Sequence, residues 1–164
     1  EFLEIAKYNL STITLQYSEI NLTRLLEQLV YEFQPIFEKK GLTCRLVAAD
    51  DILLKCDADK MQRVFDNLLR NAVVYSYDGT EITVQAEDGQ DGLILKFSNH
   101  GETIPREKLE RIFEQFYRLD AGRGTTGTGL GLAIAKQIVT LHQGSITAAS
   151  EDGLTTFIVT LPAL

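Results

Sequence analysis

The sequence predicts a two-layer α/β sandwich, with helices covering one side of a mostly antiparallel sheet. Three observations carry that expectation. Several segments repeat apolar residues at helical spacing with a single apolar stripe, so each helix has one side to bury. Short segments that alternate apolar and polar residues stand between and after them, some joined by polar, glycine-bearing turns. The chain has 164 residues and is 45% apolar, which suits one core; a domain of roughly 150 residues buries about 70% of the surface its unfolded chain exposes.

Taken in order, residues 1–9 read as the end of a helix with Phe2, Ile5 and Ala6 on one face. Ser11–Glu19 alternates and predicts a strand through Ile13, Leu15 and Tyr17. Asn21 is placed to cap the next helix. There Leu25, Leu26, Leu29, Val30, Phe33 and Phe37 recur at helical spacing, Pro35 kinks or shortens the helix, and Gly41 ends it. Thr43–Ala48 and Ile52–Lys55 are short strands. The strongest helical pattern runs over Ala58–Tyr77, where Met61, Val64, Phe65, Leu68, Leu69, Ala72 and Val73 form one stripe. Asp78-Gly79 turns the chain. Thr80–Ala86 and Leu93–Ser98 alternate on either side of a polar turn, which predicts a hairpin. Pro105 opens a helix with Leu109, Ile112, Phe113 and Phe116. Residues 118–129 have many glycines and no periodicity, and predict a mobile loop of about twelve residues. A helix over Leu130–Leu141 and strands over Ser145–Ala149 and Thr155–Leu161 close the chain.

Composition narrows the function classes. The formal net charge is −7, which argues against a nucleic-acid partner, because phosphate backbones attract Lys and Arg. It leaves a nucleotide ligand open. Cys44 and Cys56 sit in no metal-ligand spacing and read as small buried apolar groups. No run approaches the roughly 18 apolar residues of a membrane span. The chain starts at Glu1 without a methionine and reads as a piece of a longer protein.

Three polar segments stand out. Asn67 and Asn71 lie four apart on the long helix, and Asp59, Arg63 and Tyr75 continue their stripe on the side opposite the apolar one. Such a face is by default simply solvated. Asn, however, is a poor helix former, and an amide oxygen is a good neutral ligand for a hard cation such as Mg²⁺. The second segment, Gly127-Thr128-Gly129-Leu130-Gly131-Leu132, opens a helix, where bare backbone N–H groups bind phosphate; a flexible linker would read the same way. It is not a Walker A loop, and it fits a dinucleotide fingerprint poorly, since no strand precedes it and Leu132 stands where a glycine is wanted. The third, Asn99–Pro105, links a strand to a helix. It is either a plain turn or a place where the Asn99 amide, donor and acceptor at once, meets a base. His100 and His142 read as surface or turn residues.

Together and in this order, these segments resemble the ATP-binding catalytic domain of sensor histidine kinases, within the wider family that includes gyrase, Hsp90 and MutL ATPases. Asp59–Ser76 (DKMQRVFDNLLRNAVVYS) looks like the N box, Asn99–Pro105 stands at the G1 box, Ile112–Arg118 (IFEQFYR) looks like the F box, and Gly127–Lys136 (GTGLGLAIAK) looks like the G2 box. HQGSI and TTFIVTLP are similar to the closing strands. Within the family, EFLEIAKYNLSTITL and the Asn-x-Gly form of the third segment resemble the VanS-type sensor kinases of vancomycin resistance.

The resemblance implies a mixed, mostly antiparallel sheet of about five strands backed by about three helices, a Bergerat-type ATP fold with a mobile lid. It implies ATP and Mg²⁺ as ligands, with Asn67 and Asn71 as catalytic residues and Asn71 on the metal. Tyr75, Asn99, Gly101, Ile104, Arg118, Arg123, Gly127, Thr128, Gly129, Leu130, Gly131, Leu132 and Thr156 would line the nucleotide, Thr156 near the adenine. Phe113 and Phe116 would anchor the lid. Residues 1–10 would be the tail of a dimerisation helix and residues 11–164 the catalytic domain. The acceptor histidine would lie on the dimerisation domain of the same parent kinase, a response regulator would follow, and the fragment would sit at the cytoplasmic face of the membrane without touching it. Three departures bear on affinity: Asn99 replaces the usual Asp, Thr103 a glycine, and Val74 a lysine. A neutral Asn99 lacks the charge that strengthens a hydrogen bond, which predicts ATP binding weaker by about 1 kcal/mol. A binding-only module acting through partner contacts and phosphatase control is the alternative.

Overall fold

The computed structural model describes residues 14–117 and 130–163. Tyr17–Asn21 forms β1. Helix α1, Leu22–Glu32, starts where the Asn21 side chain accepts from Arg24 N, and it buries Leu22, Leu26 and Leu29. Pro35 breaks the apolar stripe as expected: Phe33 ends α1, and α2, Gln34–Lys39, restarts with the proline in its first turn. Strands β2 (Thr43–Ala48) and β3 (Leu53–Asp57) follow, then α3 (Ala58–Tyr75). Strands β4 (Glu81–Gly89) and β5 (Gly92–His100) form the hairpin. A single turn, α4 (Arg106–Leu109), precedes the undescribed stretch, and α5 (Gly131–Leu141), β6 (Ser145–Glu151) and β7 (Leu154–Pro162) complete the order.

The main sheet runs β2-β4-β5-β7-β6. The β2–β4 pair is parallel and the other three pairs are antiparallel, so the sheet is mixed and mostly antiparallel, as expected. The helices lie on one of its faces. Alternation sends Leu93, Leu95, Phe97, Phe157, Val159 and Leu161 into the core beneath them. Phe65 of α3 stacks on Phe97 of β5 with ring centroids 5.9 Å apart, which joins the two layers.

The sequence reading needs four corrections here. The first strand is Tyr17–Asn21, later than Ser11–Glu19; Ile13 and residues 1–10 lie outside the described residues. Its partner is β3, in a separate two-stranded ribbon that pairs Tyr17 with Asp57 and Asn21 with Leu53. Helix α3 stops at Tyr75, because the Ser76 backbone turns extended and its hydroxyl donates to Ala72 O at 2.6 Å. The segment after Pro105 is helical only to Leu109; beyond it Ile112 stays buried while Phe116 takes a left-handed φ of 66° and remains 54% exposed.

His142 is not a surface residue. It is 6% exposed at the C-terminus of α5. Its Nε2 accepts from Asp57 N at 3.0 Å, and Nδ1 lies 2.8 Å from Ile138 O. One neutral tautomer, protonated at Nδ1, satisfies both bonds. The Asp57 carboxylate accepts from Gln16 N, Lys60 N and Lys60 Nζ. Burial pushes that carboxyl up, but these donors and the Lys60 charge outweigh it and hold it below its ordinary range. The β1–β3 ribbon is thus tied to α3 and α5 at one joint. Cys56 is buried and Cys44 half-buried; burial, with Asp57 and Glu81 respectively beside them, pushes their thiols up to about 11 and about 12, which suits inert packing groups.

Candidate nucleotide site

Helix α3 positions the amides. A step of four residues turns a helix by about 400°, so Arg63, Asn67, Asn71 and Tyr75 stay on one side of it. That side borders the apolar face and does not lie opposite to it. All four residues are half-buried, whereas Asp59 is exposed and leaves the set. Gln62, Arg70 and Val74 of the same helix are exposed. The default of a solvated face therefore fails for the stripe: α5 packs along it.

The contact between the two helices is specific. Asn67 Nδ2 donates to the Gly131 carbonyl at 3.0 Å. Since the amino group faces α5, the Asn67 carbonyl oxygen is left to accept from or coordinate something else. A Cβ at Gly131 would meet, among the described residues, Asn67 Cγ at 3.9 Å, an ordinary contact. Packing does not demand this glycine; what it offers is bare backbone beside the amide. Leu130, fully buried, anchors the start of α5, and no described side chain caps that end. The first-turn N–H groups of an α-helix lack intrahelical acceptors, and the helix dipole favours an anion there. Leu132 is half-buried in that first turn. Arg118, Arg123, Gly127, Thr128 and Gly129 lie outside the described residues.

The C-terminal end of α3 meets the third segment. A Cβ at Gly101 would lie 2.1 Å from Tyr75 O, closer than any side chain can come, so only glycine lets the backbone pass there. Gly101 N donates to Gly153 O at 2.8 Å, and Tyr77 N to His100 O at 2.9 Å, which fastens the segment between α3 and the β6–β7 turn. Lys40 Nζ donates to Val73 O at 2.7 Å and Ser76 O at 2.8 Å and closes the helix end with a positive charge. Asn99 sits beside Gly101 on the helix side of the sheet, 3% exposed. Its side-chain amide hydrogen-bonds none of the described residues. Ile104 is buried, and its N–H donates to Ser150 Oγ at 2.9 Å.

Two expectations change at this end. Thr156 does not face the helices. Strand alternation places it on the opposite face of the sheet, where its hydroxyl pairs with Ser98 at 2.9 Å. The residue across from Asn99 in the register is Thr155, 3% exposed, with its hydroxyl 2.8 Å from Ser150 Oγ. Thr103 does not simply stand in for a glycine either: its hydroxyl accepts from Gly153 N at 2.8 Å and pins the β6–β7 turn.

Of the two phenylalanines read as anchors, Phe113 packs edge-on against Phe157 of β7, centroids 6.0 Å apart, with Lys136 Nζ over its ring. An open groove beside it runs along Lys136, Gln137 and Thr140 of α5, and neither the asparagines of α3 nor Asn99 line it. Among the described residues no group of His, Cys, Asp and Glu could hold a metal ion by itself, and no helix is long and apolar enough to cross a membrane.

A mostly antiparallel sheet backed by helices excludes the parallel sheet of a dinucleotide-binding domain. The sheet carries an amide-bearing helix that touches a glycine-led helix whose start has no described side-chain cap, an α/β sandwich with a polar cleft between two helices. The family model for histidine kinase-, DNA gyrase B- and HSP90-like ATPases matches residues 56–164, and the chain belongs to that family. It is 44% identical over 164 residues to the sensor protein VanSC of Enterococcus gallinarum, a match covering 99% of this chain and 45% of that protein. It is 46% identical over 166 residues to the sensor protein VanS of Enterococcus faecium, covering 100% of this chain and 43% of that protein. The chain thus spans just under half the length of these relatives. Among solved structures, the histidine kinase ThkA in complex with the response regulator protein TrrA matches with a TM-score of 0.83 at 25% identity, over 99% of this chain and 46% of that one.

Proposed function

We propose that this chain is the ATP-binding catalytic part of a two-component sensor histidine kinase, acting in vancomycin-resistance signalling as its VanS relatives suggest. Residues 1–10 would be the end of the dimerisation helix and 11–164 the catalytic domain, held at the cytoplasmic face by a membrane-bound parent. The observation that carries the reading is the Asn67–Gly131 hydrogen bond, because it sets the amide stripe of α3 against the N-terminus of α5. Phosphates bound there would meet the N–H groups of α5 on one side and two amides on the other.

The donor set fits Mg²⁺. The Asn71 amide hydrogen-bonds none of the described residues, and its oxygen would be the neutral ligand. With no carboxylate cluster beside it, the ion would take its remaining ligands from phosphates and water, as Mg²⁺ commonly does. Bound there, it would neutralise phosphate charge as the γ-phosphoryl group leaves. Asn67 would orient the phosphates through its carbonyl and an ordered water. Tyr75, Asn99, Gly101 and Ile104 would enclose the purine, with Thr155 in the place first given to Thr156. Arg118, Arg123, Gly127, Thr128 and Gly129 would cover the phosphates. The γ-phosphate would pass to a histidine of the parent's dimerisation domain and on to a response regulator.

The test is to mix this chain with a separate dimerisation domain and Mg·ATP labelled at the γ-phosphate. Label is expected on histidine, acid-labile and base-stable. If ATP binds but no histidine is labelled, the chain is a binding module and not a kinase.

A further inference from the structure

The base end of the proposed site contains a polar side chain that no described residue engages. Asn99 is 3% exposed, yet its amide hydrogen-bonds none of the described residues. The Thr155 hydroxyl, across from it in the register, pairs with Ser150, and the Thr103 hydroxyl accepts from Gly153 N. Nothing in the described structure fixes which way the amide points, since orientation is set by hydrogen-bond partners.

An amide carries a carbonyl acceptor and an amino donor side by side. Adenine presents an amine donor at C6 next to the N1 acceptor. Guanine presents the reverse, a carbonyl acceptor at C6 next to an N1–H donor. Turning the Asn99 amide by half a rotation exchanges its two groups and matches either pattern. We infer that Asn99 makes this site tolerant of both purines, so that the chain binds GTP as well as ATP. The inference rests on the proposed reading of Asn99 as the base contact.

The test is calorimetric titration of the intact chain with Mg·ATP, Mg·GTP and Mg·tripolyphosphate, for the parent sequence and Asn99→Ala. The two nucleotides are expected to bind within about tenfold of each other. In Asn99→Ala both should weaken by about tenfold or more, the worth of a paired amide–base contact, while tripolyphosphate binding stays unchanged. Unfolding midpoints without ligand check that the variant folds; if it does not, Asn99→Ser takes its place. ATP binding with GTP more than tenfold weaker overturns the inference and leaves the nucleotide site standing. So does an Asn99→Ala variant that loses ATP but keeps GTP. Binding of neither nucleotide overturns both readings.

Discussion

Asn71→Ala is expected to weaken Mg·ATP binding by about 100-fold, close to 3 kcal/mol, while the unfolding temperature barely moves. The side chain is half-buried and bonded to no described residue, so its removal takes little from the folded chain. It does take away the amide oxygen that the Mg²⁺ reading requires. Calorimetric titration with Mg·ATP, beside the thermal unfolding of the same variant, checks this. Unchanged affinity would remove Asn71 from the site. A loss of affinity matched by a large loss of stability would make it a packing residue instead.

Gly101→Ala carries the second large effect, and here stability and binding fall together. The new methyl would sit 2.1 Å from Tyr75 O, a backbone atom that no side-chain rotation can move aside. Relief requires the Asn99–Gly101 segment to separate from the end of α3. That movement would strain the Gly101–Gly153 and Tyr77–His100 hydrogen bonds. Overpacking of this kind costs about 1–3 kcal/mol, and the proposed base pocket lies at the same seam, so ATP affinity should drop by at least tenfold. Chemical denaturation reads the first effect and nucleotide titration the second. A variant that unfolds like the parent and still binds ATP would show that this close approach is not needed.

Much of this architecture was legible before any coordinates. The apolar stripe of α3, the β4–β5 hairpin and the Pro35 break are local patterns, and each fell where its periodicity put it. Other features depended on partners distant in sequence. The β1–β3 ribbon joins residues 32 to 40 apart, and an isolated alternating segment does not say which strand it will pair with. His142 lies 85 residues from the Asp57 N–H that buries it. The geometry of the polar stripe was a different kind of miss. At about 100° per residue, Asn67 and Asn71 fall at the border of the stripe set by Val64 and Leu68, so their half-burial could have been read from the sequence. The same holds for Thr156: the alternation of Phe157, Val159 and Leu161 already assigns Thr155 to the helix side. The burial of Asn99 could not be foreseen, because it depends on the pairing of β5 with β7, strands more than 50 residues apart.

In the proposed site the asparagines of α3 and the first turn of α5 would hold the same phosphates. Nuclear magnetic resonance of the ¹⁵N-labelled chain during titration with Mg·ATP tests it directly. Saturable shifts are predicted at the Asn67 and Asn71 side-chain amides and at the Gly131 and Leu132 N–H groups, all following one binding curve. Shifts gathered along the groove by Phe113 and Lys136, with the asparagine amides unmoved, would contradict it.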